Sequence, residues 1–457
     1  MSVDMSFMDS RVLPAMARYS NITPLALESK TSKRLFMPLN AGQFCLNGSN
    51  NIIRIAISDG SSFLDSQLST LSFQLNNAGT HSISIDGSYH SLIKRIRVIS
   101  ASGADIEDIR YYNVLHNMLS NMKKGPNSRF SSTEGYGLNG NYSQPQQALA
   151  AQVAGAGGAQ ATVAIAVQDA YLGVTAKNIG NGESILATGE TVNVQLSLMS
   201  SILGNGLEKF LPLYLVGSLT LEIEIDQNAF INADNARAIN FSINNVQYQA
   251  QMITFAGDVN SVLANMVLSG GVYIHTTQWS SFLQSIPIGN MSLQIAERLK
   301  SVKSILTCFC TPRTTKLMRA MSTIPNGITE YQLKIGSQLF PISALSGDSS
   351  VLHNSEFVIE VLKACGEYGN LSHTSVFNSH TFAVTGNTYD DVGKAAYGLD
   401  LDAFSAKNSC ECGINTILNN PITVMTKGNT TACDCYNFLL YDAILSILPS
   451  GVFTLSK

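Results

Sequence analysis

The stretch Leu219-Thr220-Leu221-Glu222-Ile223-Glu224-Ile225 alternates apolar and polar side chains without a break. A period of two puts Leu219, Leu221, Ile223 and Ile225 on one face of a sheet and the polar residues on the other. The same pattern recurs upstream. Leu71, Phe73 and Leu75 alternate with Thr70, Ser72 and Gln74, and Val192, Val194, Leu196 and Leu198 alternate with Asn193, Gln195 and Ser197. Ile53, Ile55 and Ile57 mark a further strand over 51–58, and 81–86 and 92–100 read as two more. Within this block the period changes once. Tyr111, Val114, Leu115, Met118 and Met122 share one helical stripe, and Lys123-Lys124-Gly125-Pro126 ends that helix with cations followed by two breakers.

A second block of strands follows the polar junction 227–237. Ile239, Phe241 and Ile243 sit on odd positions, but after Asn244-Asn245 the apolar set moves to the even positions Val246, Tyr248, Ala250 and Met252. A change of parity inside one strand predicts a β-bulge or a crossing between sheets. A helix is expected over 258–268, with Asp258 as N-cap and Val259, Val262, Leu263, Met266 and Val267 as its buried stripe. Strands are expected at 271–278, 290–296 and 301–310, and a hairpin with a type II′ turn at Gly336-Ser337. A third helix runs from Ser355 to Cys365, and the last strands lie near 422–427, 431–443 and 450–455. The two blocks do not align in sequence. They share a layout of strands, an amphipathic helix, long connections and more strands. Such a layout favours a mainly β chain of two tandem, antiparallel, eight-stranded jelly-roll sandwiches with Greek-key wiring, a few short helices and long loops. The expected division is an extended arm over 1–33, a first jelly roll over 34–230 carrying a long loop at 125–188, and a second jelly roll over 231–457.

The composition narrows the function. Charged residues are 13% of the 457, about half the usual share of roughly 25%, while apolar residues are 45%. The surface is therefore polar but weakly charged, which suits a protein covered by copies of itself. A net charge of −4 argues against an autonomous nucleic-acid binder. The N-terminus has no basic segment followed by an apolar one, so no signal peptide is expected, and the eight cysteines are expected to be reduced when the chain folds. The uncharged run 135–168 is too rich in Gly, Gln, Asn and Ala for a membrane span and reads as a surface loop.

Catalytic and cofactor motifs fail on inspection. Gly386 to Gly393-Lys394 has the wrong spacing for a P-loop, and Gly155 to Gln160 lacks the last glycine of a dinucleotide fingerprint. The histidines are scattered. Asp400 and Asp402 would share a face of a strand and could hold a hard cation, or simply be a solvated edge. Three Cys-x-Cys pairs occur at Cys308/Cys310, Cys410/Cys412 and Cys433/Cys435. The last two could together form a four-thiolate zinc site or a late disulfide, or be plain strand cysteines, while Cys308 and Cys310 read as core. No catalytic, cofactor or metal site is assigned.

The run Tyr397-Gly398-Leu399-Asp400-Leu401-Asp402-Ala403-Phe404, with Ser409 to Thr416 after it, resembles the closing region of viral double jelly-roll major capsid proteins. Tyr441 to Leu445 is similar to the last strand of that family, Glu297 to Ser304 to a mid-chain strand, and Phe44 to Gly48 with the 51–86 strands to the capsid proteins of polinton-like viruses and virophages. The resemblance implies a structural, non-enzymatic subunit of the virion. Three copies would form a pseudo-hexameric homotrimer, and trimers would tile an icosahedral capsid around double-stranded DNA, which is contacted only indirectly. Penton and minor capsid proteins would be its other partners. It would be made in the host cytoplasm or nucleus without a membrane span. The rival readings are a β-sandwich carbohydrate-binding or surface-attachment protein, weakened by the single tryptophan Trp279, and a β-sandwich glycoside hydrolase.

Overall fold

The computed structural model describes residues 29–40, 42–80, 83–85, 88–123, 185–186, 188–207, 209–231, 239–255, 259–310, 323–369, 375, 377–383, 393–402, 412–417, 421–449 and 453–457. Residues 1–28 of the expected arm 1–33, almost all of the loop 125–188, the cap Asp258, Cys410 and the glycine run 155–158 lie outside these residues.

In chain order the first half contains β1 (Ser29–Phe36), β2 (Ile52–Ile57), β3 (Phe63–Asn77), β4 (Ile83–Ile85), β5 (Ile93–Ile99), β6 (Asp105–Arg110), α1 (Tyr112–Lys123), β7 (Ile185–Leu186), β8 (Thr191–Leu196), β9 (Leu211–Pro212), α2 (Leu213–Val216), β10 (Leu219–Ile225), β11 (Phe230–Ile231) and β12 (Phe241–Phe255). After α3 (Val259–Gly270) come β13 (Val272–Ile286), β14 (Gly289–Ile295), β15 (Val302–Cys310), β16 (Thr323–Ile324), β17 (Glu330–Ile335), β18 (Gln338–Ser346), α4 (Ser355–Ala364), α5 (Ser379–Ala383), β19 (Tyr397–Asp400), β20 (Ile422–Asn429), β21 (Cys433–Ile447) and β22 (Phe453–Ser456).

The two halves are wired alike. In the first, one sheet runs β1-β12-β3-β8 and the other β2-β10-β5-β6. In the second, β13-β21-β15 continues to β19, which also pairs with β15, and the other sheet runs β14-β20-β17-β18. Number the eight principal strands of each half from first to eighth. Both halves then have one sheet ordered 1-8-3-6 and the other ordered 2-7-4-5, which is the jelly-roll arrangement. Even the helices correspond, since α1 and α4 each follow the fifth strand of their half.

The alternating stretches occupy the places their pattern requires. Leu219, Leu221, Ile223 and Ile225 of β10 are buried, as are Ile53, Ile55 and Ile57 of β2, which pairs with it. On α1, Tyr112, Val114, Leu115, Met118 and Met122 are buried, each side chain contributing about 1.5–3 kcal/mol relative to exposure. The hairpin turn is found as read. Ile335 pairs with Gln338, and Gly336 has φ +60°, the sign that a type II′ turn needs at its first central position.

Three differences have physical causes. First, residues 29–33 belong to a strand and not to an arm. β1 pairs with β12 from Ser29↔Phe255 to Phe36↔Tyr248, yet it is exposed on both faces. Only its backbone ladder holds it, so no hydrophobic alternation marks it. Second, β12 is the last strand of the first sandwich and does not open the second, because it lies between β1 and β3. The change from one set of sheets to the other falls at α3 and not at 227–237. Third, the stripe expected to be buried on α3 is mostly outside. Val267 is buried, but Val262 and Met266 are 57% and 54% exposed. The helix bridges two sandwiches and does not roof a core.

The parity switch does mark a bulge. The register between β12 and β3 jumps from Asn244↔Gln74 to Gln247↔Ser72, so one extra residue enters β12 there. Asn245 takes φ +49°, and its Nδ2 donates to Gln74 Oε1 at 2.6 Å. The extra residue lets Ile243 and Val246, three apart, both point into the core. Asparagine tolerates this left-handed backbone and β-branched residues do not. Asn245→Val is therefore expected to destabilise the protein by about 1–3 kcal/mol and Asn245→Gly by much less. Urea unfolding of the two variants checks this, and equal losses would remove the backbone explanation.

Candidate functional site

Two features organise the molecule beyond its sandwiches: a polar seam joining the halves, and a buried charge cluster that ties down the segment after β19.

The seam forms where β6, at the edge of a first-half sheet, meets β13, at the edge of a second-half sheet. Gln278 on β13 donates through Nε2 to the Ile106 carbonyl at 3.1 Å and to Ser201 Oγ at 3.1 Å. Its Oε1 accepts from Tyr441 Oη at 2.9 Å, and Thr276 Oγ1 donates to the Ser201 carbonyl at 3.3 Å. Glu107 completes the chain, accepting from the Ser201 amide at 2.7 Å and from the Ser200 hydroxyl. The turn that supplies these serines is tightly folded. Ser200 Oγ accepts from the Leu203 amide at 3.0 Å, and a Cβ on Gly204 would lie 1.9 Å from the Leu198 carbonyl oxygen, so only glycine fits there. Tyr112 braces the same turn by accepting from the Met199 amide at 3.0 Å. Elsewhere along the junction Tyr111 and Tyr436 meet edge to face at 5.2 Å, and the Phe377 amide donates to the Asn121 carbonyl.

A cleft of about 390 Å³ opens on the seam, with Glu107, Ile109, Leu119, Met199, Trp279 and Leu440 in its wall. Glu107 is 2% exposed and, among the described residues, forms no ion pair. Burial raises its carboxyl above the ordinary value, against the lowering effect of the Ser200 and Ser201 hydrogen bonds. A group raised in the folded state favours folding most below the unfolded pKa, and that contribution is lost as pH rises through the folded pKa. Relative to Glu107→Gln, the parent protein is expected to lose stability as pH climbs from about 4. Melting temperatures of both proteins across pH 4–8 test this, and parallel profiles would contradict it.

The charge cluster centres on Lys303, in the wall of the second sandwich. The register between β15 and β21 slips at this residue, moving from Val302↔Tyr441 to Ser304↔Leu440. Lys303 Nζ lies 3.6 Å from Asp442 Oδ1 and 3.8 Å from Asp402 Oδ2. Burial works to lower the Lys303 ammonium, but Asp442, Asp402 and the Cys412 thiol outweigh it and hold it above its ordinary value. Asp442 also accepts from Ser301 Oγ at 2.7 Å and meets His275 Nε2 at 3.0 Å, while Cys412 Sγ donates to Asp402 Oδ1 at 3.1 Å. Backbone bonds repeat the attachment: Leu401 to Lys303, Ile414 to Val302 in both directions, and Thr416 to Leu299. This gives a physical role to residues 397–402 and 412–416, which are pinned across the strands they follow.

Of the readings left open for the cysteines, the joint site of Cys412 with Cys433 and Cys435 is not formed among the described residues. Cys433 and Cys435 on β21 neighbour Cys308 and Cys310 on β15, with Phe309 opposite Cys435 and Cys310 opposite Asp434. Cys412 belongs to the Lys303 cluster instead. Its separation from Cys433/Cys435 follows from the segment 412–416 pairing back onto Val302 and not onto β21. None of the seven described cysteines is in a disulfide. Burial pushes the Cys433 and Cys435 thiols up to about 12, so they stay protonated. Among the described residues no group of three or more His, Cys, Asp or Glu is placed to hold a metal ion. Asp400 and Asp402 do not act as a pair either, since Asp402 turns to Lys303. Sequence reading missed Glu107, Ser201 and Gln278, which lie in no recognisable motif, and it met Lys303 and Asp442 only inside the stretches that resemble capsid proteins, with no role of their own.

No family model matches the sequence, and no curated protein is similar to it in sequence. Solved structures are similar in fold. VP54 of PBCV-1, fitted into a reconstruction of the virophage Sputnik, superposes with a TM-score of 0.59 at 8% identity, over 96% of this chain and 99% of that one. The quasi-atomic model of the PBCV-1 capsid gives 0.59 at 9% identity over the same shares. The Faustovirus major capsid protein gives 0.55 at 8% identity, over 94% of this chain and 93% of the other. At these identities the likeness is one of fold. With the strand order it defines the chain as a double jelly roll of the kind seen in those major capsid proteins.

Removing the Lys303 charge leaves Asp442, with a side chain 1% exposed, without its ammonium partner. Lys303→Met is expected to cost about 3–5 kcal/mol, and adding Asp442→Asn to recover part of it. Chemical unfolding of the single and double variants measures the coupling, and strict additivity would mean the pair does not interact.

Proposed function

We propose that this protein is a structural major capsid protein that assembles as pseudo-hexameric homotrimers, which tile an icosahedral shell around double-stranded DNA. It acts in the virion, has no catalytic role, and has copies of itself and minor and penton capsid proteins as its partners. The observation that carries this reading is the repetition of one eight-strand wiring in two halves that share no sequence repeat, superposing end to end on a capsid subunit of PBCV-1. Two similar sandwiches side by side give each subunit two lobes, and three such subunits make six.

Two further features agree with it. Apolar side chains stand in water on the isolated chain: Leu268 of α3 is 67% exposed, Leu352 82% and Ile342 92%. Neighbouring copies would cover residues of this kind. The low charge keeps repulsion small when many like surfaces meet. Among the described residues no helix is long and apolar enough to cross a membrane. The division into an arm and two jelly rolls is carried forward with its boundaries moved: the arm ends at residue 28, and the second roll begins after α3.

Size-exclusion chromatography with light scattering tests the proposal. A stable particle of three times 49.1 kDa that assembles further is the expected result, and a monodisperse monomer at all concentrations would sink it. In the same assay, deletion of residues 1–28 is expected to leave the trimer intact while impairing assembly beyond it. Deletion through residue 36 removes β1 as well and is expected to weaken the subunit itself.

A further inference from the structure

We infer that the cleft on the seam is a binding site for a small amphipathic cation, an alkylammonium whose charged head reaches Glu107 and whose chain lies along the apolar wall. The inference does not depend on the capsid reading, because it rests on the chemistry of the cleft alone.

The volume, about 390 Å³, falls at the lower end of the range of small-molecule sites, about 300–1,000 Å³. The lining has the matching composition: a mostly apolar surface with a few polar groups. Ile109, Leu119, Met199 and Leu440 supply hydrocarbon, Thr277 supplies a hydroxyl, and the His116 imidazole also lines the cleft, stacked on His90 at 3.8 Å. The feature that selects the ligand is Glu107. It is a carboxyl group in the lining of the cleft, almost wholly buried, held in place by the Ser201 amide and the Ser200 hydroxyl. Those two bonds fix its direction and leave it acceptor capacity, since an ionised carboxylate offers about four lone-pair sites. A buried carboxyl group is either matched by a cation or neutralised; among the described residues no cation pairs with Glu107, and burial raises its carboxyl, so an arriving ammonium supplies the charge that its ionised form lacks. Lys123 also lines the cleft, but its side chain is exposed and forms no ion pair with Glu107. The nearby arginines are committed elsewhere: Arg95 pairs with Asp108 and Arg97 with Asp105 on the outer face of the sheet. Trp279 in the same wall adds an aromatic surface, the side chain best suited to attract an ammonium through its π face. A ligand with one positive head and a short hydrocarbon chain matches the carboxyl group, the aromatic surface and the apolar wall together. An anion would be repelled by Glu107 once it ionises, and a neutral alcohol gains no charge interaction with it.

The cleft draws its walls from both halves. Glu107, Ile109, Leu119 and Met199 come from the first, and Thr277, Trp279 and Leu440 from the second. A ligand seated there stabilises the two sandwiches in their present relation, and by linkage raises the melting temperature.

The chain reports on this site by itself, because Trp279 is its only tryptophan. The test is a titration of the full-length protein with n-hexylammonium, n-hexanoate and n-hexanol, following tryptophan fluorescence and melting temperature. Hexylammonium is expected to produce a saturable fluorescence change and a rise in melting temperature. Hexanoate and hexanol are expected to bind at least tenfold more weakly. Glu107→Gln should abolish the preference for the cation, so that hexylammonium and hexanol then bind within a fewfold of each other. Absence of a saturable response to hexylammonium overturns the inference, as does an equal response to all three probes or a preference for hexanoate through Lys123. The three-probe comparison on the parent protein stands even if the Glu107→Gln variant fails to fold. The oligomeric state, read separately by light scattering, decides the capsid proposal and leaves this result untouched.

Discussion

Each sandwich is held shut by its last long strand. β12 lies between β1 and β3, and β21 lies between β13 and β15. The pairing of β13 with β21 runs unbroken from Val272↔Ile447 to Ile286↔Cys433, joining residues well over a hundred positions apart. Neither half can close until the strand made last has slotted between the first and third. That topology is dominated by non-local contacts, which folds slowly but yields a sheet with its central strands bonded on both sides. The rest of the structure depends on this closure. β1 has no apolar face and stays in place only through its ladder with β12. Asp442 can reach Lys303 and His275 only because β21 lies between β15 and β13.

The seam between the halves differs in kind from either core. Apolar packing is non-directional and would tolerate sliding of one sandwich on the other. The bonds that Gln278 makes to Ile106, Ser201 and Tyr441 are directional and partly to backbone, so they specify one relation between the sandwiches. For a subunit proposed to present two lobes in a regular array, such a joint is of more use than additional hydrophobic area. The Lys303 cluster works the same way on a smaller scale, locking a long connection to the strands beneath it with charge and not with bulk.

Most of the core was legible in the sequence, because burial on one face of a strand writes itself as a period of two. β2, β8, β10 and the hairpin at Gly336 follow from that rule, and α1 from its helical stripe. The bulge at Asn245 was legible too, since one inserted residue flips every later side chain. Other elements left no such trace. β6, Asp-Ile-Glu-Asp-Ile-Arg, hides its alternation because Glu107 is buried toward the seam while Asp105 and Asp108 pair with Arg97 and Arg95 of β5. β13 continues eight residues beyond its apolar pattern because β21 supplies a backbone partner for each of them. The stripe on α3 reads as buried by its composition, yet most of it faces outward, because a hydrophobic pattern specifies a need for cover without naming what provides it.

By itself, then, the amino-acid sequence determined the class of structure: strands with one buried face, in two blocks of similar layout, with no catalytic motif. Those properties are local, since a side chain's periodicity is set by its own backbone. Only the tertiary structure decided which strands are neighbours, where the first sandwich ends, which cysteines lie together, and that Glu107, Trp279 and Gln278 share one seam. Those relations join residues far apart along the chain, and they are set by the closing of each sandwich around its last strand and by directional bonds that no local pattern encodes.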